Sequence, residues 1–444
     1  MKWNGLGRGF KAVGASLALG LGMTACSSSY TAGYLYVTAA RQGLINAYGI
    51  DSQSGALYEL ADSPIPSSAR TNSNPVAIAA APNARTVYVV NHDSSEVVQF
   101  AVGTDGKLFA QTTYPVVLGA NGVTGTTPTA AAVDPTGSYL AVAFTYQNGF
   151  TTVRPGPGGV AIYPIVHSTD PAVEGTLMSP LVNTTIGTTA GSPLPYLPVG
   201  NNPAGVTFST VTPPGTGGAV ATTGTEYLYV IDQERPAVGS PFGVLMAFQV
   251  TAPTSGTPIA LGTPTVIAIP GPVAGGFSAG TSPAGIVEEQ RGRFLYVTDQ
   301  ATNQLFGYQT VAGVPTPLVS SPFNTGSLPL GLTVDPRGRF LYVANFNSGT
   351  VSVFNINASD GSLAGSAGIV GTGVRSGPTC VTVEPALGIY LYTSNNTDNS
   401  VSGEQLDVNN GTLRDIQGTP YATQALPTCA VAIPAQGAST QLVN

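Results

Sequence analysis

Two histidines, His92 and His167, are all the imidazole in a chain of 444 residues. General acid–base chemistry near neutral pH therefore has few places to reside. The repeat described below carries one set of charges to a common face: His92, Asp93, Arg41, Arg70, Arg154, Asp232, Glu234, Arg235, Asp299 and Arg375. Arginine recognises planar anions through paired N–H donors. One reading makes this face an anion-binding mouth. His92 and Arg375 are then the first choices for catalysis, with Arg41, Arg70, Asp93, Arg154, Asp232, Arg235 and Asp299 as ligand contacts. The simpler reading is a ring of solvated loop charges. Asn91, Asp232, Asp299, Asn345 and Asn395 share one repeat position. They form either a polar ring around a channel or, more simply, caps that bond the backbone of the following turn.

Other motifs carry less chemistry. Gly276-Phe277-Ser278-Ala279-Gly280 fits Gly-x-Ser-x-Gly, but a nucleophile elbow needs a strand before it and a helix after it, and here the flanks are Gly/Pro-rich. Cys380 and Cys429 occupy matching positions in adjacent repeats. An exported chain permits a disulfide between them, although matching positions need not meet disulfide geometry, and free buried thiols are the expectation. The spacing of Cys, His and carboxylates forms no zinc or calcium motif, so no metal and no cofactor is expected.

The elements that position these residues come from a repeat. Tyr34-Leu35-Tyr36-Val37, Thr86-Val87-Tyr88-Val89, Tyr139-Leu140-Ala141-Val142, Tyr227-Leu228-Tyr229-Val230, Phe294-Leu295-Tyr296-Val297, Phe340-Leu341-Tyr342-Val343 and Tyr390-Leu391-Tyr392-Thr393 are seven copies of one strand. Their second positions are spaced by 52, 53, 88, 67, 46 and 50 residues. A strand-and-turn unit recurring at about 40–50 residues marks a propeller blade. The expected fold is all-β, a seven-bladed β-propeller of four-stranded antiparallel blades.

A Pro followed by small apolar residues opens each inner strand, at Pro75, Pro128, Pro203, Pro283, Pro329, Pro378 and Pro427. Third strands are expected at Leu44–Ile50, Val97–Val102, Val160–Ile165, Val244–Val250, Gln304–Gln309, Thr350–Phe354 and Val401–Leu406. The last inner strand has no successor, and the first Tyr-Leu-Tyr-Val has no inner strand before it. Cys429–Ile433 should therefore pair into the N-terminal blade and close the ring, leaving no open edge. Pro/Gly/Thr-rich insertions fall around 144–225 and 251–282, where long loops are more often functional or mobile than structural.

Only 8% of the residues are charged, against roughly 25% in an average soluble domain. The start of the chain reads as an export signal: Lys2, Arg8 and Lys11 precede a short apolar run, Ala12 to Met23. Met23-Thr24-Ala25-Cys26 resembles a bacterial lipobox, which implies lipidation of Cys26. Ser27 after it, by resemblance to enterobacterial lipoproteins, favours outer-membrane sorting. The organisation is then 1–25 signal peptide, 26–32 tether, 33–434 propeller and 435–444 tail, in an exported protein of the bacterial envelope, periplasmic or on the outer membrane. Without the leader, 12 cations face 22 anions, a balance of −10. Nucleic acid is excluded as a partner on that balance. The expected contacts are the membrane, through the Cys26 anchor, and an envelope protein or a small anionic ligand.

Tyr342–Asn345 followed by Thr350–Phe354 resembles the YVTN-repeat family and the related lactonase-family seven-bladed propellers, which include 6-phosphogluconolactonase-like and muconate-cycloisomerase-like enzymes. The resemblance implies the propeller fold, and as activity it implies hydrolysis of a sugar or small organic lactone. Enzymes of that family carry an Arg-His pair after the inner-strand Pro. Here Gly377-Pro378 is followed by Thr379-Cys380. Two functions are therefore carried forward: a non-catalytic ligand- or protein-binding module of the envelope, and a lactonase-type hydrolase.

Overall fold

The computed structural model describes residues 31–116, 125–147, 149–154, 156–183, 194–209, 225–234, 242–251, 265–269, 271, 276–365 and 376–438. Within them lie seven antiparallel sheets arranged as the blades of a propeller. Blade 2 shows the plan, with strands Pro75–Ala80, Thr86–Asn91, Glu96–Val102 and Leu108–Pro115 running from the channel outward. The other inner strands are Thr126–Val133, Pro203–Ser209, Pro283–Glu288, Pro329–Val334 and Pro378–Val383 in blades 3 to 7. The inner strand of blade 1 comes from the far end of the chain. Pro427–Pro434 pairs with Thr31–Ala39, from Gly33 opposite Pro434 to Ala39 opposite Pro427. The ring closes as the repeat arithmetic requires. The third strands also match expectation, most of them extended by a residue or two at their ends, as in Glu96–Val102 and Gln304–Val311, while that of blade 3 is shifted one residue earlier, to Gly159–Pro164.

The repeated motif is explained by the alternation of a strand, which sends successive side chains to opposite faces. Positions one and three of each copy face the next blade, and positions two and four face the blade before. Phe294 and Tyr296 of blade 5 thus pack on Leu341 and Val343 of blade 6. Phe340 and Tyr342 meet Leu391 of blade 7, and Tyr390 and Tyr392 meet Leu35 and Val37 of blade 1. The core is therefore seven clusters, one at each junction between blades. Every second-position residue, from Leu35 to Leu391, has zero exposure. Each such burial contributes about 1.5–3 kcal/mol.

Glycine turns receive the aromatic residues. Gly106 in blade 2 has φ +80°, and a Cβ there would lie 2.2 Å from the Tyr34 ring of blade 1. The hydroxyl at motif position three then donates to the carbonyl of the same turn: Tyr36 to Gly106, Tyr88 to Gly175, Tyr229 to Gly313, Tyr296 to Gly361, Tyr342 to Gly411 and Tyr392 to Gly55. Blade 3 carries Ala141 at that position and has no such bond to give.

Six inner strands begin at Pro, which has no N–H to lose at the first strand position. That of blade 3 starts earlier than the sequence pattern suggests, at Thr126, with Pro128 inside it. In most of them a bulge follows the Pro, between Pro75 and Ala77, Pro203 and Gly205, Pro283 and Gly285, or Pro378 and Cys380. A bulge redirects a side chain out of the ladder. Here the redirected group clamps the neighbouring blade: Thr379 Oγ1 donates to Thr428 O at 2.9 Å and Thr428 Oγ1 to Pro75 O at 2.8 Å. Crowding at this radius explains the small residues, since a Cβ on Gly331 would sit 2.5 Å from Thr379 O.

Candidate functional site

Turns between the second and third strands share one face of the ring with the loops that lead from one blade to the next. On that face, between blades 1 and 2, the structure gathers a polar cluster around three of the sequence-derived candidates, His92, Asp93 and Arg70. The turn Asn91–Glu96 supplies His92 and Asp93, and the loop Ser67–Asn74 lies against it.

Backbone bonds fix the two segments to each other. His92 N donates to Asn74 O at 2.9 Å, and Asp93 N to Ser73 O at 3.1 Å. Asn91, fully buried, accepts from Ser67 Oγ at 2.8 Å and donates to Ser67 O at 3.1 Å. On this frame His92 Nδ1 lies 2.6 Å from Asp93 Oδ1, and Asn74 Nδ2 donates to the same oxygen at 3.2 Å. Burial opposes ionisation of Asp93, but the bonds from His92 and Asn74 outweigh it and hold the carboxyl below its usual range. Both side chains reach solvent, His92 at 34% and Asp93 at 52% exposure.

The second half of the cluster is an arginine on a buried carboxylate. Glu96 is 3% exposed; it accepts from Ser68 Oγ and, at 2.9 Å, from Ser94 Oγ. Arg70 Nε lies 3.4 Å from Glu96 Oε2, with the arginine side chain 70% exposed. Arg70 N donates to Ser68 Oγ at 2.9 Å, which ties its backbone to the same carboxylate. The outcome is an outward guanidinium anchored from below, beside a His–Asp pair. Such a set can hold an anion and move a proton.

The remaining candidates do not join this cluster. Arg41 is exposed on the short 3₁₀ turn Ala40–Gln42 of blade 1. Arg154 is exposed in blade 3, stacked over the Phe150 ring at 5.5 Å. Asp232 and Asp299 have zero exposure and turn inward. Asp299 accepts from the N–H groups of Thr281, Ser282 and Ala301 and from Thr302 Oγ1. Asp232 accepts from Asn202 N and Glu234 N, and burial pushes its carboxyl up to about 7 in spite of those bonds. Asp232 and Asp299 cap the following turn through Glu234 N and Ala301 N, as in the simpler sequence reading. Asn345 and Asn395 instead donate to hydroxyls of the third strand, Thr350 and Ser352 or Ser400 and Ser402, and Asn91 bonds Ser67. Arg235, Arg375 and Cys26 lie outside the described residues.

His167 sits on the opposite face, its Nδ1 3.5 Å from Glu174 Oε1 and its ring beside the blade 3 turn at Gly137. Ser278 lies on a two-residue strand, Phe277–Ser278, paired with Val244–Leu245; no helix follows it, so Gly276–Gly280 is no nucleophile elbow. Groups of His, Cys and carboxylates able to hold a metal are absent among the described residues. No helix among them is long and apolar enough to cross a membrane.

Sequence reasoning missed Glu96 and Ser68. The available signal was a carboxylate placed directly before two valines at the start of a strand, Glu96-Val97-Val98. A buried carboxylate at such a place needs partners, and these come from the preceding loop.

Comparison with known proteins agrees with the fold. The family model described as "Lactonase, 7-bladed beta-propeller" matches residues 26–161 and 262–383, more than half of the chain. A structure described as a putative 6-phosphogluconolactonase from Bacteroides fragilis superposes with a TM-score of 0.61 at 16% identity, over 91% of this chain and 99% of that one. One from Bacteroides uniformis, described in the same words, gives 0.59 at 16% identity, over 90% and 99%. A Pseudomonas aeruginosa protein described as a periplasmic gluconolactonase gives 0.59 at 18% identity, over 91% and 99%. At such identities the likeness is one of fold. No curated protein sequence matches the chain.

Proposed function

The chain belongs to the lactonase family of seven-bladed β-propellers, and we propose that it is a hydrolase of small lactones whose active centre is the turn at His92. The observation that carries this reading is the contact of 2.6 Å between His92 Nδ1 and Asp93 Oδ1. An ionised Asp93 accepts the Nδ1 proton, which leaves the lone pair on Nε2. Nε2 then takes a proton from water as the water oxygen attacks the lactone carbonyl. The imidazolium returns that proton to the departing ring oxygen, and the ring opens to a hydroxy acid. Arg70, held by Glu96 and largely in solvent, grips a carboxylate or phosphate carried by the substrate. Sugar lactones, phosphorylated ones first, fit this pairing of a base with an anion clamp. The names given to the Bacteroides and Pseudomonas structures point to the same substrate class.

The protein works outside the cytoplasm in this account. The leader through Ala25 is removed, Cys26 carries a lipid, and a short tether holds the propeller spanning about 33–434 against the bacterial envelope. The positive start, the apolar run and Met23-Thr24-Ala25-Cys26 support this.

One observation favours a second reading, a propeller that binds a ligand or envelope protein without catalysis. Thr379, at the place where the family's enzymes carry Arg, is spent on a bond to the next blade, and Cys380 takes the place of His. Calorimetric binding and turnover, measured on one panel of sugar lactones and their hydroxy acids, separate the two. Turnover lost in His92→Ala supports the hydrolase. Binding without turnover, unchanged in His92→Ala, supports the binding module.

A further inference from the structure

We propose that Cys380 and Cys429 form a redox clasp, which a disulfide donor oxidises to a covalent bond joining the ring-closing strand to the last blade. The two Sγ atoms lie 3.3 Å apart, on chain positions separated by 49 residues. Both thiols are free and half-buried at the inner edge of the ring. Each cysteine follows a threonine that clamps the neighbouring blade, Thr379 onto Thr428 O and Thr428 onto Pro75 O. The Thr379 bond fixes the two cysteine-bearing strands relative to each other, and the Thr428 bond ties the ring-closing strand to blade 2. Ala430 N also donates to Cys380 Sγ at 3.2 Å, which pins that side chain against the facing strand. Sulfurs already in contact need only a small side-chain rotation to reach bonding distance.

The site matters because of where it lies. The inner strand Pro427–Pro434 is the single piece of blade 1 contributed by the C-terminal end, and its backbone ladder runs to Thr31–Ala39 alone. Toward blade 7 it is held by side-chain bonds, from Thr379 Oγ1 and from Asn396 Nδ2 to Pro427 O at 3.0 Å. A bond between Cys380 and Cys429 turns that junction covalent.

The chemistry balances as a thiol–disulfide exchange. Cys429 loses its proton to solvent and attacks one sulfur of the donor disulfide; the donor's first half leaves as a thiolate, and a mixed disulfide remains on Cys429. The Cys380 thiolate then attacks Cys429 Sγ and expels the donor's second half. Two protein thiols have lost two electrons, and the donor has become two thiols. The contact between the sulfurs lowers the Cys429 thiol and raises Cys380, where burial adds to the effect; the net exchange is the same whichever thiol attacks first.

The test is oxidation of the native full chain with 2-hydroxyethyl disulfide, followed by alkylation and tryptic mass spectrometry. Arg414 is the one tryptic site between the cysteines, so they fall in separate peptides, 376–414 and 415–444. The expected product joins these two peptides, less two hydrogens. Its melting temperature rises by about 5 °C and returns on reduction. Cys429→Ser and Cys380→Ala should each abolish the redox dependence of melting while remaining folded. If either variant fails to fold, the cross-link in the parent chain still decides. Two alkylated cysteines, or hydroxyethyl adducts without the cross-linked peptide, would overturn the proposal. A cross-link that leaves the melting temperature unchanged would overturn its role as a clasp.

Discussion

The hydroxyl of Tyr392 donates to the carbonyl of Gly55 at 2.7 Å, across 337 residues of chain. It is the same bond that Tyr342 makes to Gly411 one blade earlier, so the junction between the chain's two ends is built like the others. Phenylalanine at either position keeps the ring and leaves a buried carbonyl unpaired. Tyr392→Phe and Tyr342→Phe should each lose about 1–2 kcal/mol in urea unfolding. A Tyr392→Phe variant as stable as the parent would show that the junction does not depend on this bond.

A sharper penalty belongs to the glycine side of the same contact. Gly106 has φ +80°, and a Cβ there meets the Tyr34 ring at 2.2 Å. Gly106→Ala combines a left-handed backbone with a clash and should cost about 2–4 kcal/mol. Gly437 has φ +85° but open space around it. Gly437→Ala should cost only about 1 kcal/mol, the backbone part alone. Equal losses at the two sites would remove the packing argument.

The fold was legible because the aromatic-Leu-Tyr-Val pattern recurs at blade spacing and alternates, so its odd and even positions must serve two different neighbours. The glycine partners were not legible. Gly55, Gly106 and Gly411 are ordinary turn glycines in sequence, and only the ring brings each to the tyrosine of the blade before it. The candidate site was half legible. His92, Asp93 and Arg70 follow from blade register, whereas the Glu96 anchor depends on a loop folding back onto a strand end. Asp232 and Asp299 sit on the right face by register but point inward, because a strand-end carboxylate finds backbone N–H groups before it finds solvent.

Buried acids give the protein a pH-dependent stability. Glu404 is fully buried without a hydrogen-bond partner for either oxygen; burial, reinforced by Asp415, raises its carboxyl from 4.5 to about 8. The folded state therefore holds this proton more tightly than the unfolded chain. Its contribution is intact below about pH 4.5 and is lost as pH rises through about 8, with a slope of up to about 1.4 kcal/mol per pH unit. Glu226 and Asp232, raised to about 8 and about 7, add to the same window. Glu404→Gln should flatten the fall in melting temperature between pH 5 and pH 9 and be the more stable protein at the alkaline end. A parallel fall in parent and variant would show that Glu404 does not hold its proton.

Asp93 orients His92 in the proposed chemistry and touches no reacting atom. Asp93→Asn keeps the shape and removes the acceptor charge. It should lower kcat for lactone opening about 10–100-fold, with KM little changed. Arg70→Ala should act the other way, raising KM for phosphorylated lactones more than for neutral ones. An Asp93→Asn enzyme with the parent's kcat would remove the orienting role.

The central claim is that His92 opens lactones, and a pH-stat measurement tests it directly. The chain from Ser27 onward is given gluconolactone and its 6-phosphate, and acid release is followed beside His92→Ala and the uncatalysed reaction. The account predicts release well above the uncatalysed rate in the parent, greater for the phosphorylated lactone, and a fall to that rate in His92→Ala. Release at the uncatalysed rate from the folded parent, or full activity in His92→Ala, would contradict it.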